Sequence, residues 1–231
     1  MAALSPTFVD IRDSYPSGFD ALISARRTSQ SAHDHAACER ILDAATELFD
    51  QLGYMATSVR QIAAQLGWTS ASLYSHFACK EDVLYGIVVR TRVNLFDHEC
   101  SHFPIDVDRS GVVVAALRHI IEFVVDDPAA VSVSTLGEPC LSSARQMLLQ
   151  QTRRHRLNWL ADILTRCQRT DHSSTDRHPL LIATIVRANI LSLAQFVLPA
   201  TDFPECDVAD VALHSCLSIL RIEDTDDGRR S

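Results

Sequence analysis

Gly53 and Gly67 constrain this chain more than any other feature, because each closes an apolar-periodic segment at a point where the backbone must turn through positive φ. Before the first glycine, Ile41, Ala45, Leu48, Phe49 and Leu52 fall on one face at the 3.6-residue period of a helix. Between the glycines, Thr57 and Ser58 open a second helix, in which Ser58 and Gln61 stand at capping-box spacing and Val59, Ile62, Ala63 and Leu66 supply the buried face. After Gly67, Trp68 and Thr69 make a turn, and Thr69 is a good N-cap for a short third helix from Ser70 to Phe77 with Leu73 and Phe77 inward. A fourth helix starts near Lys80, where Glu81 and Asp82 suit the positive end of the helix dipole, and runs through Val83, Leu84, Ile87 and Val88 towards Phe96.

Beyond Pro104 the apolar helices lengthen: roughly Gly111 to Asp126, a shorter one after Pro128, then Ser142 to Gln168, His178 to Leu198 and Val208 to Ile222. With only seven Gly and eight Pro in 231 residues and no alternating Val/Ile/Thr runs, the expected class is all-α. Residues 1–35 hold Pro6, Pro16, Gly18 and many Ser and Thr without sustained period, which reads as a disordered arm, with Arg26 and Arg27 its adjacent basic pair. Residues 170–177 read as a polar loop and residues 223–231 as a charged tail. The apolar stretch Leu180 to Leu198 is interrupted by Arg187, Asn189 and Gln195, so no membrane span is expected. Met1 to Asp20 lack a basic start followed by an apolar core, so no secretory signal is expected and the cytoplasm is the expected compartment. Seven scattered cysteines without CxxC spacing read as reduced thiols, mostly structural.

Two helices that meet across a tight turn need a small residue at their contact and a turn residue tolerant of positive φ; Ala63 and Gly67 stand at those places. The helix after the turn is then free to enter a DNA major groove, presenting Ser70, Ala71, Ser72, Tyr74, Ser75 and His76. Small hydroxylated residues permit close approach, and the Tyr74 hydroxyl can donate to a phosphate.

The stretch from Arg40 to Leu84 resembles the TetR family of bacterial transcriptional repressors. The resemblance is carried by Ile41, Ala44, Ala45, Phe49, Gly53, Tyr54, Thr57, Ser58, Val59, Ile62, Ala63, Gly67, Leu73, Tyr74, His76, Phe77, Lys80 and Glu81, and most specifically by the run LYSHFACKEDVL. It implies a helix-turn-helix DNA-binding domain at residues 36–92 and a helical ligand-binding and dimerisation domain at residues 93–222. The implied molecule is a homodimer released from double-stranded operator DNA by a small-molecule inducer. It also implies phosphate contacts at the openings of the second and fourth helices, at Thr57, Ser58 and Lys80. Three departures stand out: Trp68 replaces the usual Val or Ile of the turn, Cys79 takes the place of a capping Ser, and residues 36–92 carry five basic against six acidic side chains. The whole chain has a formal net charge of -8, so attraction to phosphate must come from helix N-termini and a local patch. The two apolar helices His178 to Leu198 and Val208 to Ile222 are expected to build the dimer's four-helix bundle.

For the ligand, the candidate residues are Arg187, Asn189 and Leu191 on the His178 to Leu198 helix and Trp159 on the Ser142 to Gln168 helix. Arg187 stands alone in apolar surroundings with no acid at i±3 or i±4, so it either pairs with Glu122, Asp126 or Asp162 or faces a cavity and meets an anionic ligand group. Arg145, Arg153, Arg154 and Arg156 read as a solvated face or as a mouth attracting an amphipathic anion; the layout around RRHRLNWLADIL resembles family members that respond to acyl-CoA thioesters. His98 and His102 have a zinc-compatible i, i+4 spacing, but no further ligand is identifiable, so no metal and no cofactor are expected. No nucleophile with a base, paired carboxylates or phosphate-cradling loop is present, and no enzyme is expected. The alternative reading is a helical protein-interaction module that keeps the helix-turn-helix for structure.

Overall fold

In the computed structural model, which describes residues 32–102, 109–168, 178–200 and 204–220, all regular structure is helical. The basic pair of the arm, the loop at 170–177 and the charged tail lie outside the described residues. Helix α1 spans Ala32–Leu52, beginning inside the stretch read as an arm, and its apolar stripe puts Ile41, Leu42, Ala45 and Phe49 into the core. Gly53, at φ 84°, ends it with its N–H donated to the Phe49 carbonyl at 2.9 Å.

Helix α2 spans Val59–Gln65. Ser58 caps it from an extended conformation, its hydroxyl accepting the Gln61 N–H while the Gln61 carboxamide accepts the Ser58 N–H at 2.8 Å. Two orphan donors of the first turn are thereby satisfied. The C-terminus closes as a Schellman motif: Gly67 adopts φ 69°, its N–H donates to Ala64 at 3.0 Å, and the Trp68 N–H donates to Ala63 at 2.8 Å. Helix α3 is Ser70–Tyr74, capped by Thr69, whose hydroxyl accepts the Ser72 N–H at 3.1 Å. It stops three residues short of the expected Phe77 because the Leu73 carbonyl is shared by the N–H groups of His76 and Phe77, which tightens the chain into a turn.

Helix α4 is Lys80–His102, α5 Arg109–Asp126, and α6 Pro128–Gly137, opened by a proline whose missing N–H costs nothing at the first helical position. A 3-10 turn, Glu138–Cys140, leads to α7, Ser143–Gln168. Helix α8 is Pro179–Ser192 and α9 Glu205–Leu220. The expected continuous helix to Leu198 instead widens to a π-turn at Leu193–Val197, closed by the Leu198 N–H on the Leu193 carbonyl, and then a 3-10 turn at Leu198–Ala200. Pro199 has no N–H for the Gln195 carbonyl, so an α-helix cannot continue there.

The chain forms two compact units. In the first, the described residues from 32 to 93 pack with Ala129–Arg153. Its core joins Ile41, Leu42, Ala45, Phe49, Ile62 and Leu73 to Leu84, Ile87 and Val88 of α4 and to Val133, Leu141 and Leu149. Fully burying each Leu or Ile contributes roughly 1.5–3 kcal/mol. The close fit shows at Gly137, where a β-carbon would stand 2.6 Å from a methyl of buried Leu84. In the second unit, Asn94–Pro128 and the residues from Arg154 onward, α5 packs against α8 and α9, and Val113, Leu117, Ile121, Ile182, Val186, Leu213 and Leu217 of these helices are buried.

Candidate nucleic-acid interface

The α2–turn–α3 unit turns its apolar residues inward, with Ile62, Ala63 and Leu73 buried, and leaves the outer face of α3 to small and hydroxylated side chains. Ala71, Ser72, Tyr74 and Ser75 are exposed, Ser70 and His76 partly so. The Ser75 hydroxyl donates to the Ser72 carbonyl at 2.7 Å. Tyr74 is 52% exposed, and its hydroxyl has no protein partner among the described residues. An outward phenol of this kind can donate to a phosphate oxygen without giving up an internal bond.

Ser58, at the opening of α2, is exposed. Thr57 differs: it is 2% exposed, and its hydroxyl donates inward to the carbonyls of Leu48 at 3.2 Å and Gly53 at 3.0 Å. Its side chain fixes the turn between α1 and α2. Lys80 stands at the start of α4, and its ammonium donates to the carbonyls of Tyr54 at 2.8 Å and Thr57 at 2.7 Å while lying 4.3 Å from the centre of the Tyr54 ring. An ammonium has three donors, so one remains for an anion.

The indole of Trp68 rests on the outside of the three-helix core, partly buried. The Arg40 guanidinium lies 5.1 Å from its centre and the His76 ring 6.1 Å away, so the departure at position 68 is accommodated by a cation over the indole. Neither Arg40 nor His76 could be tied to Trp68 from sequence, because the three share no helix period. Of the five basic residues in 36–92, Arg90 pairs with Glu39 at 3.0 Å and Asp43 at 2.6 Å, and Arg92 pairs with Glu138 at 2.6 Å. Arg40 and Arg60 are the exposed guanidinium groups of this stretch.

Cys79 leaves the thiol exposed, and its backbone N–H donates to the Asp82 carboxylate at 3.1 Å, which supplies half of a capping box. Glu81 accepts the Ser142 N–H at 2.9 Å, and Arg145 reaches Glu81 at 3.3 Å and also Asp82. The Ser142 N–H, followed by Arg145, holds the Glu81 carboxyl below its ordinary value. Burial pushes Asp82 upward, but hydrogen bonds from Arg145 and Cys79 outweigh it and leave the carboxyl lowered. Nearby, one oxygen of buried Glu138 accepts from Arg92 and from Arg153 at 2.5 Å, while Arg92 also donates to the Leu149 carbonyl at 2.7 Å and the Thr152 hydroxyl at 3.0 Å. Arg145 and Arg153, read from sequence as a solvated face or an anion-attracting mouth, thus lie in ion pairs within the first unit.

In the second unit, Arg187, Asn189 and Leu191 on α8 and Trp159 on α7 are all partly buried. Glu122, one expected partner of Arg187, meets His119 at 3.2 Å. The segment Pro179–Val197 has a mean hydropathy of 1.8 and is long and apolar enough to cross a membrane by length and composition. In the structure it packs Ile182, Ala183, Val186 and Ile190 into the protein.

Residues 41–85 match the family model described as bacterial regulatory proteins, tetR family. No curated protein matches the chain by sequence. Among solved structures, the chain is similar to a tetR-family regulatory protein from Rhodococcus RHA1, with a TM-score of 0.73, 20% identity, and 84% of this chain and 100% of that one covered. It is also similar to the ketosteroid transcriptional regulator KstR2 of Mycobacterium tuberculosis, with a TM-score of 0.70, 20% identity and coverage of 79% and 93%. A third likeness is to AibR in complex with isovaleryl coenzyme A and operator DNA, with a TM-score of 0.69, 20% identity and coverage of 77% and 96%.

Proposed function

We propose, for a chain that belongs through its amino-terminal domain to the tetR family of bacterial regulatory proteins, that it is a homodimeric repressor released from operator DNA by a small amphipathic anion. The observation that carries the DNA reading is the outer face of α3: exposed Ala71, Ser72, Tyr74 and Ser75 behind a fully capped α2 and a Schellman turn. Ser70, Ala71 and Ser75 read base edges; Tyr74, Ser58 and the third donor of Lys80 hold phosphates; Ser72 and His76 flank the reading face; Thr57 positions the opening of α2.

Two copies join through the outer faces of α8 and α9 and the π-turn that follows α8, on which Leu181, Ile185, Val211 and Phe196 are exposed, the last two at 70% each. Apolar surface of that extent on late helices matches a bundle interface between two chains. For the inducer, the reading rests on Arg187, a guanidinium in the apolar middle of α8 with Asn189 and Leu191 beside it and Trp159 on α7, and on the acyl-CoA bound by the similarly folded AibR. Such a site suits a thioester with an anionic carrier. The protein then works in the cytoplasm, where its DNA is.

Selection of duplexes from a random pool by the full chain tests the reading. A two-fold related pair of half-sites should emerge, and swaps at Ser70, Ala71 and Ser75 should change the selected sequence rather than only the affinity. With that duplex, a panel of acyl-CoA thioesters should release the wild-type chain, while Arg187→Leu should bind the duplex and fail to release it. A pool with no enriched sequence would reject the repressor in favour of the protein-interaction reading.

A further inference from the structure

The indole of Trp68 carries a cation from another helix: the guanidinium carbon of Arg40, on α1, lies 5.1 Å from its centre. Trp68 is itself fixed in place. Its backbone N–H donates to the Ala63 carbonyl at 2.8 Å, its ring packs against the core of the first unit, and the next residue, Thr69, caps α3 by accepting the Ser72 N–H at 3.1 Å. The ring of His76, two residues beyond the end of α3, lies 6.1 Å from the same indole. The exposed Arg40 is thus placed beside the reading helix although it belongs to α1. Its charge is also uncommitted. Glu39 and Asp43, the acids of α1 nearest to it in sequence, pair with Arg90 at 3.0 and 2.6 Å, and Glu47 accepts from the Gln65 amide at 2.5 Å. Positions 36, 37 and 44, one turn away on the same helix, are alanines. Among the described residues, Arg40 has no carboxylate partner.

We propose that Trp68 is a platform that holds Arg40 against a DNA phosphate at the edge of the groove entered by α3. The inference rests on the operator-binding reading and adds to it a phosphate contact made from α1. A guanidinium lying on an aromatic face keeps its in-plane N–H donors for a second partner, and the fork of donors matches a phosphate. Held on the ring beforehand, it loses less conformational freedom when it meets the anion. The contact also answers the charge deficit of this domain, in which Arg90 and Arg92 are consumed by ion pairs and Lys80 spends two of its donors on carbonyls. Neutralising one phosphate releases counterions worth about fivefold in affinity near about 0.15 M salt, and it steepens the log–log salt dependence by about 0.9.

The test uses the full chain and the duplex it selects from a random pool, with affinity read by fluorescence anisotropy from about 50 to 300 mM salt. Arg40→Gln should melt with the wild type, bind about fivefold more weakly per half-site, and show a salt slope shallower by about 0.9 per half-site, with the preferred sequence unchanged. Arg40→Lys should restore the slope. Trp68→Leu should leave the slope as it is, because the charge remains, and weaken binding about two- to fivefold per half-site, the worth of an exposed cation–π contact. In the Arg40→Gln background Trp68→Leu should cost nothing further, and Trp68→Phe, which keeps a ring face, should retain most of the affinity. An Arg40→Gln chain with the wild-type slope, or with an altered sequence preference, would overturn the phosphate contact while leaving the operator reading in place. An equal loss from Trp68→Leu with and without Arg40 would overturn the platform. A wild-type chain that selects no duplex would instead remove the operator reading, and the contact with it.

Discussion

Lys80 grips Tyr54 in two ways at once: its ammonium donates to the Tyr54 carbonyl at 2.8 Å and lies 4.3 Å from the centre of the same residue's ring. A residue expected to reach outward to phosphate is therefore also an internal strut between the start of α4 and the turn before α2. Lys80→Ala should lower the stability of the first unit by about 1.5–3 kcal/mol, the range for hydrogen bonds to a charged group. It should also weaken DNA binding. Denaturation followed by Trp68 fluorescence in a Trp159→Phe background would show the loss, and a variant as stable as the wild type would remove the strut role.

Tyr74 presents the opposite case, an exposed phenol with no internal bond to lose. Tyr74→Phe should leave the melting temperature unchanged and reduce affinity for selected and random duplexes alike, by about two- to twelvefold for one phosphate hydrogen bond of about 0.5–1.5 kcal/mol. A change in sequence preference instead would make Tyr74 a base reader.

Gly137→Ala should destabilise the first unit by about 1–3 kcal/mol, the usual cost of overpacking. The glycine sits at φ -80°, so only the 2.6 Å approach to Leu84 forbids a side chain there. Combining it with Leu84→Val should recover part of the loss, and a double-mutant cycle on urea unfolding measures the coupling. Strictly additive effects would mean that α6 shifts away at no cost.

Acid should loosen the seam around Arg145. The carboxyls of Glu81 and Asp82 are held below their ordinary values, so the stability they confer is complete above the ordinary carboxylate range near pH ~4 and is lost as pH falls through their lower folded values. Arg145→Gln should cost about 1 kcal/mol at pH 7, modest because these groups are partly exposed. The melting-temperature gap between wild type and variant should close as the pH is lowered to about 3. A constant gap across that range would show that Arg145 acts by packing on Tyr85, 4.9 Å from its guanidinium, rather than by charge.

What the sequence made legible was local. The Ser58–Gln61 box, the Thr69 cap and the positive φ at Gly67 all operate within one helical turn, where residue type and spacing suffice. Periodicity overshot at the end of α3, because Phe77 stays packed on the core although the helix has ended at Tyr74. It overshot again near Leu193, where the apolar pattern ran on through the π-turn ahead of Pro199. Contacts across long separations left no trace: Lys80 and Tyr54 are 26 positions apart, Arg92 and Glu138 46, and neither pair shares a period. A search of the acids for a partner to each lone arginine would have raised Glu138, since it is flanked by Gly137 and Pro139 and sits in no charged run.

The packing of Ala129–Arg153 with the first unit bears on how such regulators can be recombined. A chimera cut after Val93 would transplant the reading helix but leave behind the acid that neutralises Arg92 and the leucines, Leu141 and Leu149, that complete its core. The recipient would inherit an unmatched, half-buried cation and an open apolar face, and its failure could be mistaken for loss of DNA recognition. A working graft has to take two pieces of chain, the amino-terminal residues through Val93 and the hairpin of Ala129–Arg153, and leave only the second unit to be exchanged.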